Sequence, residues 1–145
     1  WRLIMRLTEV EKDLFSVDPQ YSLVHCVSAD FALGAGIAKQ FDTRFNMRYE
    51  LFEKYGSYHF TGGKCLKIGS VFNLVTKDKC WQKPTYKALR EALEDMKKQV
   101  VTLKIKYLAM PLIGCGLDRL EWDRVRELLE KVFGDTDIDI LVCYR

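Results

Sequence analysis

Two glycine-containing segments stand where an apolar, strand-like run gives way to a helical pattern. Leu33-Gly34-Ala35-Gly36-Ile37-Ala38 precedes one helix and Ile113-Gly114-Cys115-Gly116-Leu117-Asp118-Arg119 precedes the last. Small residues let a backbone approach phosphate oxygens closely, and the free N–H groups of a helix N-terminus then hold the negative charge. One such turn is often only tight packing. Two of them, both at strand ends and both before helices, point to a diphosphate. Neither matches G-x-x-x-x-G-K-[ST] or a complete G-x-G-x-x-G, which disfavours a P-loop ATPase and an ordinary dinucleotide fold.

Few side chains offer covalent or proton chemistry. Lys77 closes the run Val75-Thr76-Lys77. A lysine there becomes a nucleophile if it is desolvated and crowded by a second cation such as Lys79, since both favour the neutral amine. From spacing alone, a surface loop lysine is the commoner reading. Asp118 lies in the second glycine segment, where N-capping of the next helix is an equal alternative. His25, between Val24 and Cys26, reads as a packed or hydrogen-bonded core histidine. Ser28 closes the same run. No paired carboxylates and no Ser-His-Asp pattern emerge. The five cysteines form no CxxC pair and there are only 2 histidines, so no metal site is expected and no cofactor. The cysteines read as neutral thiols in a reducing compartment, cytoplasm or nucleus.

The elements that must position these groups alternate. Strand-like runs at Leu3–Leu7 and Tyr21–Val27 precede helical patterns at Gly34–Phe45 and Met47–Tyr55. Ser57–Lys64 reads as loop, then Cys65–Phe72 and Asn73–Lys77 as strands, with Gly69-Ser70 a candidate turn. Pro84 suits the first turn of a helix. Tyr86, Leu89, Leu93, Met96 and Val100 form its apolar stripe. A strand over Lys106–Ile113, a helix over Glu121–Phe133 burying Val125, Leu128, Leu129 and Val132, and a strand over Ile138–Tyr144 complete the chain. The order β-β-α-α-β-β-α-β-α-β predicts a largely parallel sheet covered on both faces, with ligands at the carboxyl ends of the strands.

The 145 residues fit one domain, and 48% hydrophobic content is enough for a core without staples. No apolar run approaches a membrane span, and the start, Trp1 to Arg6, is too short and too charged for a signal peptide. Net charge is +3, unevenly placed: residues 64–106 carry 11 basic and 4 acidic side chains, residues 107–145 carry 5 and 8. A basic middle attracts anionic ligands or nucleic acid, although ordinary solvated lysines account for most of it. No apolar stripe is left over after the core is assigned, so a monomer is expected.

Six segments together resemble the macrodomain family, most closely the branch of terminal ADP-ribose protein glycohydrolases, which also act as O-acetyl-ADP-ribose deacetylases. They are Lys12-Asp13-Leu14-Phe15, His25-Cys26-Val27-Ser28, Gly34-Ala35-Gly36-Ile37-Ala38, Val75-Thr76-Lys77, Lys83-Pro84-Thr85-Tyr86, and the long, distinctive Met110-Pro111-Leu112-Ile113-Gly114-Cys115-Gly116-Leu117-Asp118-Arg119-Leu120. They fall in order across nearly the whole chain. The resemblance implies one macrodomain over residues 1–145, a three-layer α/β/α sandwich with a mixed, largely parallel sheet. It implies ADP-ribose and mono-ADP-ribosylated proteins as partners, with ADP-ribosylated nucleic acid as a further candidate. By match, Asp13 accepts from the adenine amino group, beside Leu14. Gly34, Ala35, Gly36, Ile37 and Ala38 cradle the diphosphate. Ser28 faces the distal ribose, Thr76 is a further ADP-ribose-binding residue, and Gly114, Cys115, Gly116 and Leu117 form the second phosphate and ribose loop. Lys77 is then the nucleophile and Asp118 its proton-handling partner, unlike the two-carboxylate scheme of most glycosidases. Lys12 stands where the family usually has glycine, Cys143-Tyr144-Arg145 differs from close relatives near the adenine, and Ser57–Lys64 has no counterpart. A non-catalytic ADP-ribose reader and an ADP-ribose 1″-phosphate phosphatase are the competing functions.

Overall fold

The computed structural model describes residues 5–116 and 118–145. Part of the expected strand Leu3–Leu7 and the ligand assignment of Leu117 therefore lie outside the described residues. The elements are β1 (Arg6–Glu11), β2 (Ser22–Ser28), α1 (Gly36–Phe45), α2 (Met47–Tyr55), β3 (Lys64–Ile68), β4 (Val71–Lys77), α3 (Tyr86–Thr102), β5 (Tyr107–Met110), α4 (Trp122–Phe133) and β6 (Asp139–Tyr144). A 3-10 turn, Leu14–Ser16, which the sequence did not announce, follows β1.

The strands form one mixed sheet in the order β1-β6-β5-β2-β4-β3. Every neighbouring pair is parallel except β3 with β4. That exception follows from Gly69-Ser70. The two residues close a hairpin between paired Ile68 and Val71, with Gly69 at φ 55°. The turn falls at the candidate Gly69-Ser70, where the left-handed conformation costs glycine nothing, so the strand bounds drawn at Phe72 and Asn73 move to Ile68 and Val71.

One apolar layer packs α3 and α4 on the sheet, through Leu89, Leu93, Met96, Val125 and Leu129 against Val24, Phe72, Leu74, Leu108 and Val142. The other packs α1 and α2, through Phe41, Met47 and Leu51 against Leu23, Val27, Val75 and Ala109. Successive strand residues point to opposite layers, so β4 is buried from Val71 to Thr76. Each fully buried Leu or Met contributes about 1.5–3 kcal/mol.

Several local expectations are corrected. Pro84 does not start α3: Thr85 is the N-cap, its Oγ1 accepting from Ala88 N–H at 3.0 Å. Tyr86 and Leu128 are only half-buried. The Tyr86 hydroxyl accepts Glu121 N–H at 2.9 Å, tying the start of α3 to the start of α4. The premise of the monomer expectation also fails, because Phe45, Tyr49 and Phe52 stand exposed on the α1–α2 side. Among the described residues no helix is long and apolar enough to cross a membrane.

Candidate active site

The chain leaves β2 toward β4 and leaves β5 toward β6, so the strand order switches between β2 and β5. These two strands pair only at Ser22–Leu108 and Leu23–Ala109. Beyond that they part, and a crevice of about 1140 Å³ opens at their carboxyl ends. A ligand site is expected at such a switch point, and the volume suits a ligand larger than a single nucleotide.

The β2–α1 loop makes one wall. Phe31 and Leu33 hold left-handed φ of 52° and 43°. That strain is sustained because both side chains are buried. The loop delivers Ala35, extended at φ -151°, as the N-cap of α1, with no side chain closing the cap. The first N–H groups of the helix are thus free to meet an anion, and no acidic residue stands in its first turn. Gly34, Ala35, Gly36, Ile37 and Ala38 all line the crevice. Gly34 is not held by the fold: a Cβ there would meet only Ala32 O, at 3.9 Å.

The β5–α4 loop makes the opposite wall. Gly114 has φ 74°, and its carbonyl accepts Leu120 N–H at 2.7 Å. A Cβ at Gly114 would lie 2.8 Å from Leu120 Cδ1. This fold-back places Asp118 over the end of β2, where it meets the lysine that ends β4. Lys77 Nζ lies 2.7 Å from Asp118 Oδ1, and both side chains are largely covered, at 15% and 19% exposure. The 77–118 pair spans 41 residues of sequence. The expected crowding cation is not what faces Lys77; Lys79 is exposed, in a turn closed by its N–H on Gln82 Oε1 at 2.8 Å. Asp118 is not a helix cap either: α4 begins at Trp122 with Glu121 as N-cap.

The sequence profile of the Macro domain family matches residues 24–129. The chain belongs to the macrodomain family. It is 41% identical over 137 residues to the ADP-ribose glycohydrolase OARD1 of Bos taurus, covering 94% of this chain and 90% of that one. It is 29% identical over 141 residues to the DNA ADP-ribosyl glycohydrolase of Mycobacterium tuberculosis, covering 90% of this chain and 40% of that protein. The solved macrodomain of Mycobacterium tuberculosis DarG superposes with a TM-score of 0.78 at 28% identity, covering 93% of this chain and 96% of that one.

In this macrodomain the remaining candidates separate into those that reach the cleft and those that do not. His25 does not. It is fully buried, stacked on Phe41 at 3.8 Å, with Nε2 2.6 Å from Asn73 Oδ1. The Asn73 amide donates to Leu66 O, so its oxygen accepts and His25 Nε2 is the donor. Burial pushes the imidazole down to about 4, and it is neutral at ordinary pH. Thr76 is buried with its hydroxyl unpartnered, and it does not line the cleft. Cys26 and Cys115 do line it, but burial pushes their thiols up to about 12 and about 11, which leaves no thiolate to compete with the amine.

At the far end, Asp13 Oδ1 caps the 3-10 turn by accepting Phe15 N–H at 3.0 Å, and Oδ2 pairs with Arg145 at 3.3 Å. Leu14 and Lys12 line this end. Sequence reading missed Trp81 and Asp30, and noted Arg145 only as a departure from close relatives near the adenine. Asp30 accepts from Ser28 Oγ at 2.5 Å and Ala32 N–H at 3.2 Å through Oδ1, and from Cys80 N–H at 3.0 Å through Oδ2. Nothing in local spacing signals a bond from residue 30 to residue 80. Among the described residues no cluster of His, Cys, Asp and Glu is placed to hold a metal ion.

Proposed function

We propose that this macrodomain binds ADP-ribose in the cleft and hydrolyses bonds at the anomeric carbon of its distal ribose. It would remove mono-ADP-ribose from glutamate and aspartate esters and deacylate O-acetyl-ADP-ribose. The carrying observation is the Lys77–Asp118 contact of 2.7 Å, set between two loops suited to a diphosphate. In support, the Bos taurus relative is named an ADP-ribose glycohydrolase.

The chemistry follows from the contact. Asp118 takes a proton from the Lys77 ammonium across the hydrogen bond. The freed amine attacks the anomeric carbon, the bond from that carbon to the acyl oxygen breaks, and the carboxylate departs with the electron pair. A carboxylate is a good leaving group and needs little acid assistance. Asp118 passes its proton to the departing carboxylate and is ionised again; it then accepts a proton from the water that attacks the lysine-bound sugar, Lys77 leaves as the free amine, and that proton returns to Lys77 across the same contact. With O-acetyl-ADP-ribose, acetate replaces the protein carboxylate. Gly34 to Ala38 and Gly114 to Gly116 hold the diphosphate, Ser28 lies by the distal ribose, and Asp13 with Leu14 receives the adenine.

Nucleic acid bearing ADP-ribose is a second acceptor class. Of the charged residues lining the cleft, Lys12, Lys83 and Arg119 have no ion-pair partner among the described residues, whereas Asp13 and Asp118 are both paired. The Mycobacterium tuberculosis relative is named for DNA.

The test is release of ADP-ribose from a carrier modified on glutamate, with ADP-ribose binding measured alongside. Release by the native chain supports the enzyme. Binding without release makes the protein a reader. Phosphate release from ADP-ribose 1″-phosphate, with esters untouched, makes it a phosphatase.

A further inference from the structure

Trp81 is the most exposed large apolar side chain among the described residues, at 78%. It also lines the cleft. A lone exposed apolar side chain is ordinary on a surface, but this one stands on the wall of a ligand cleft, where an indole offers a face for a stacked ring that the Lys77–Asp118 chemistry does not use.

Its position is fixed rather than incidental. Cys80 N–H is held by Asp30 Oδ2 at 3.0 Å, and Gln82 N–H by Lys79 O at 3.0 Å, so the backbone on both sides of Trp81 is tied down. Asp30 also holds Ser28 at the end of β2, and Trp81 follows Lys77 by four residues. The stretch that carries the indole thus leaves β4 just beyond Lys77 and is anchored beside the end of β2, at the Lys77 end of the cleft. That is the side on which the acceptor of the ADP-ribosyl group must emerge.

Charge decides which acceptor. Lys83, two residues beyond the indole, and Arg119, next to Asp118, line the same cleft without ion-pair partners among the described residues. An acidic peptide would satisfy these cations and leave the indole wet. A single-stranded nucleic acid satisfies both, since a base stacks on the ring while cations meet the backbone. We propose that Trp81 is a specificity residue that stacks on a base of single-stranded nucleic acid emerging from the Lys77 end of the cleft. Its effect on catalysis rests on the ADP-ribose reading above; its effect on nucleic-acid binding does not.

The experiment measures binding of a labelled, unmodified oligothymidylate and, separately, of ADP-ribose, to the native chain, Trp81→Ala, Trp81→Phe and Lys83→Ala. Loss of one stacked base should weaken oligonucleotide binding by about 5- to 100-fold in Trp81→Ala, with Trp81→Phe near native and ADP-ribose affinity unchanged. Lys83→Ala should flatten the dependence on salt. Release of ADP-ribose from a base-modified oligonucleotide should then fall in Trp81→Ala while release from modified glutamate holds. Native binding that Trp81→Ala leaves intact, or no native binding at low salt, overturns the proposal. An equal loss on both substrates overturns it too, by making Trp81 part of the ADP-ribose site. Oligonucleotide binding without ADP-ribose binding would sink the cleft reading and leave the stacking role standing.

Discussion

The Asp30 carboxylate and the Cys80 backbone are joined across 50 residues of sequence by a 3.0 Å hydrogen bond. Through it the loop that follows Lys77 is tied to the loop that shapes the N-terminus of α1. One side chain thereby ties the stretch that follows Lys77 to the loop proposed as the phosphate cradle.

Asp30→Ala should thus impair affinity and turnover together. Removing the acceptor of three hydrogen bonds should cost about 1–3 kcal/mol of stability. Asp30→Asn, which keeps one acceptor oxygen, should fall between. Titration calorimetry with ADP-ribose and steady-state kinetics on the same preparations check this. Loss of turnover with unchanged affinity would show that the two loops are not coupled. Burial raises the Asp30 carboxyl, but the bonds from Ser28, Cys80 and Ala32 outweigh it and hold the group below its usual value. Its contribution is therefore present above the ordinary carboxylate range and is lost as acid protonates it.

Lys77→Ala and Asp118→Ala should each reduce release by about 100-fold or more while ADP-ribose still binds. Because the proposed mechanism passes one proton between the two groups across 2.7 Å, the double variant should be little worse than either single one. Additive losses would argue that they serve separate steps.

Gly114→Ala should weaken ADP-ribose binding and lower thermal stability. The position has φ 74°, and the added methyl would meet Leu120 at 2.8 Å. The left-handed conformation alone costs a non-glycine residue about 1–2 kcal/mol. Gly34→Ala meets no such obstacle in the fold. If it weakens binding at unchanged melting temperature, the ligand itself approaches that backbone.

His25 should make the protein acid-sensitive. Its imidazole is pushed down from 6.5 to about 4 by burial. Between those values the unfolded chain binds a proton that the native state refuses, so stability falls as pH drops through that window and levels off below about 4. The total is roughly 3 kcal/mol. Urea unfolding from pH 7 to pH 4 measures it, and His25→Phe should flatten the slope while stranding the Asn73 oxygen. An unchanged slope would place the acid sensitivity elsewhere.

Period and punctuation in the sequence were enough for the order of elements. Leu89, Leu93, Met96 and Val100 recur at helical spacing, and β4 is a near-continuous buried run whose successive side chains enter opposite layers, because local geometry fixes which side chains share a face. The long segment Met110 to Leu120 identified the family before any contact was visible. Spacing could not tell whether Lys77 was a surface lysine or Asp118 a helix cap, since each is ordinary in its own stretch of chain. Only the parting of β2 from β5 and the fold-back at Gly114 put their side chains 2.7 Å apart. Asp30, Trp81 and the pairing of Arg145 with Asp13 escaped the sequence for the same reason: hydrogen bonds, ion pairs and shared cleft walls between distant residues depend on how the chain returns on itself, which only the tertiary structure decides.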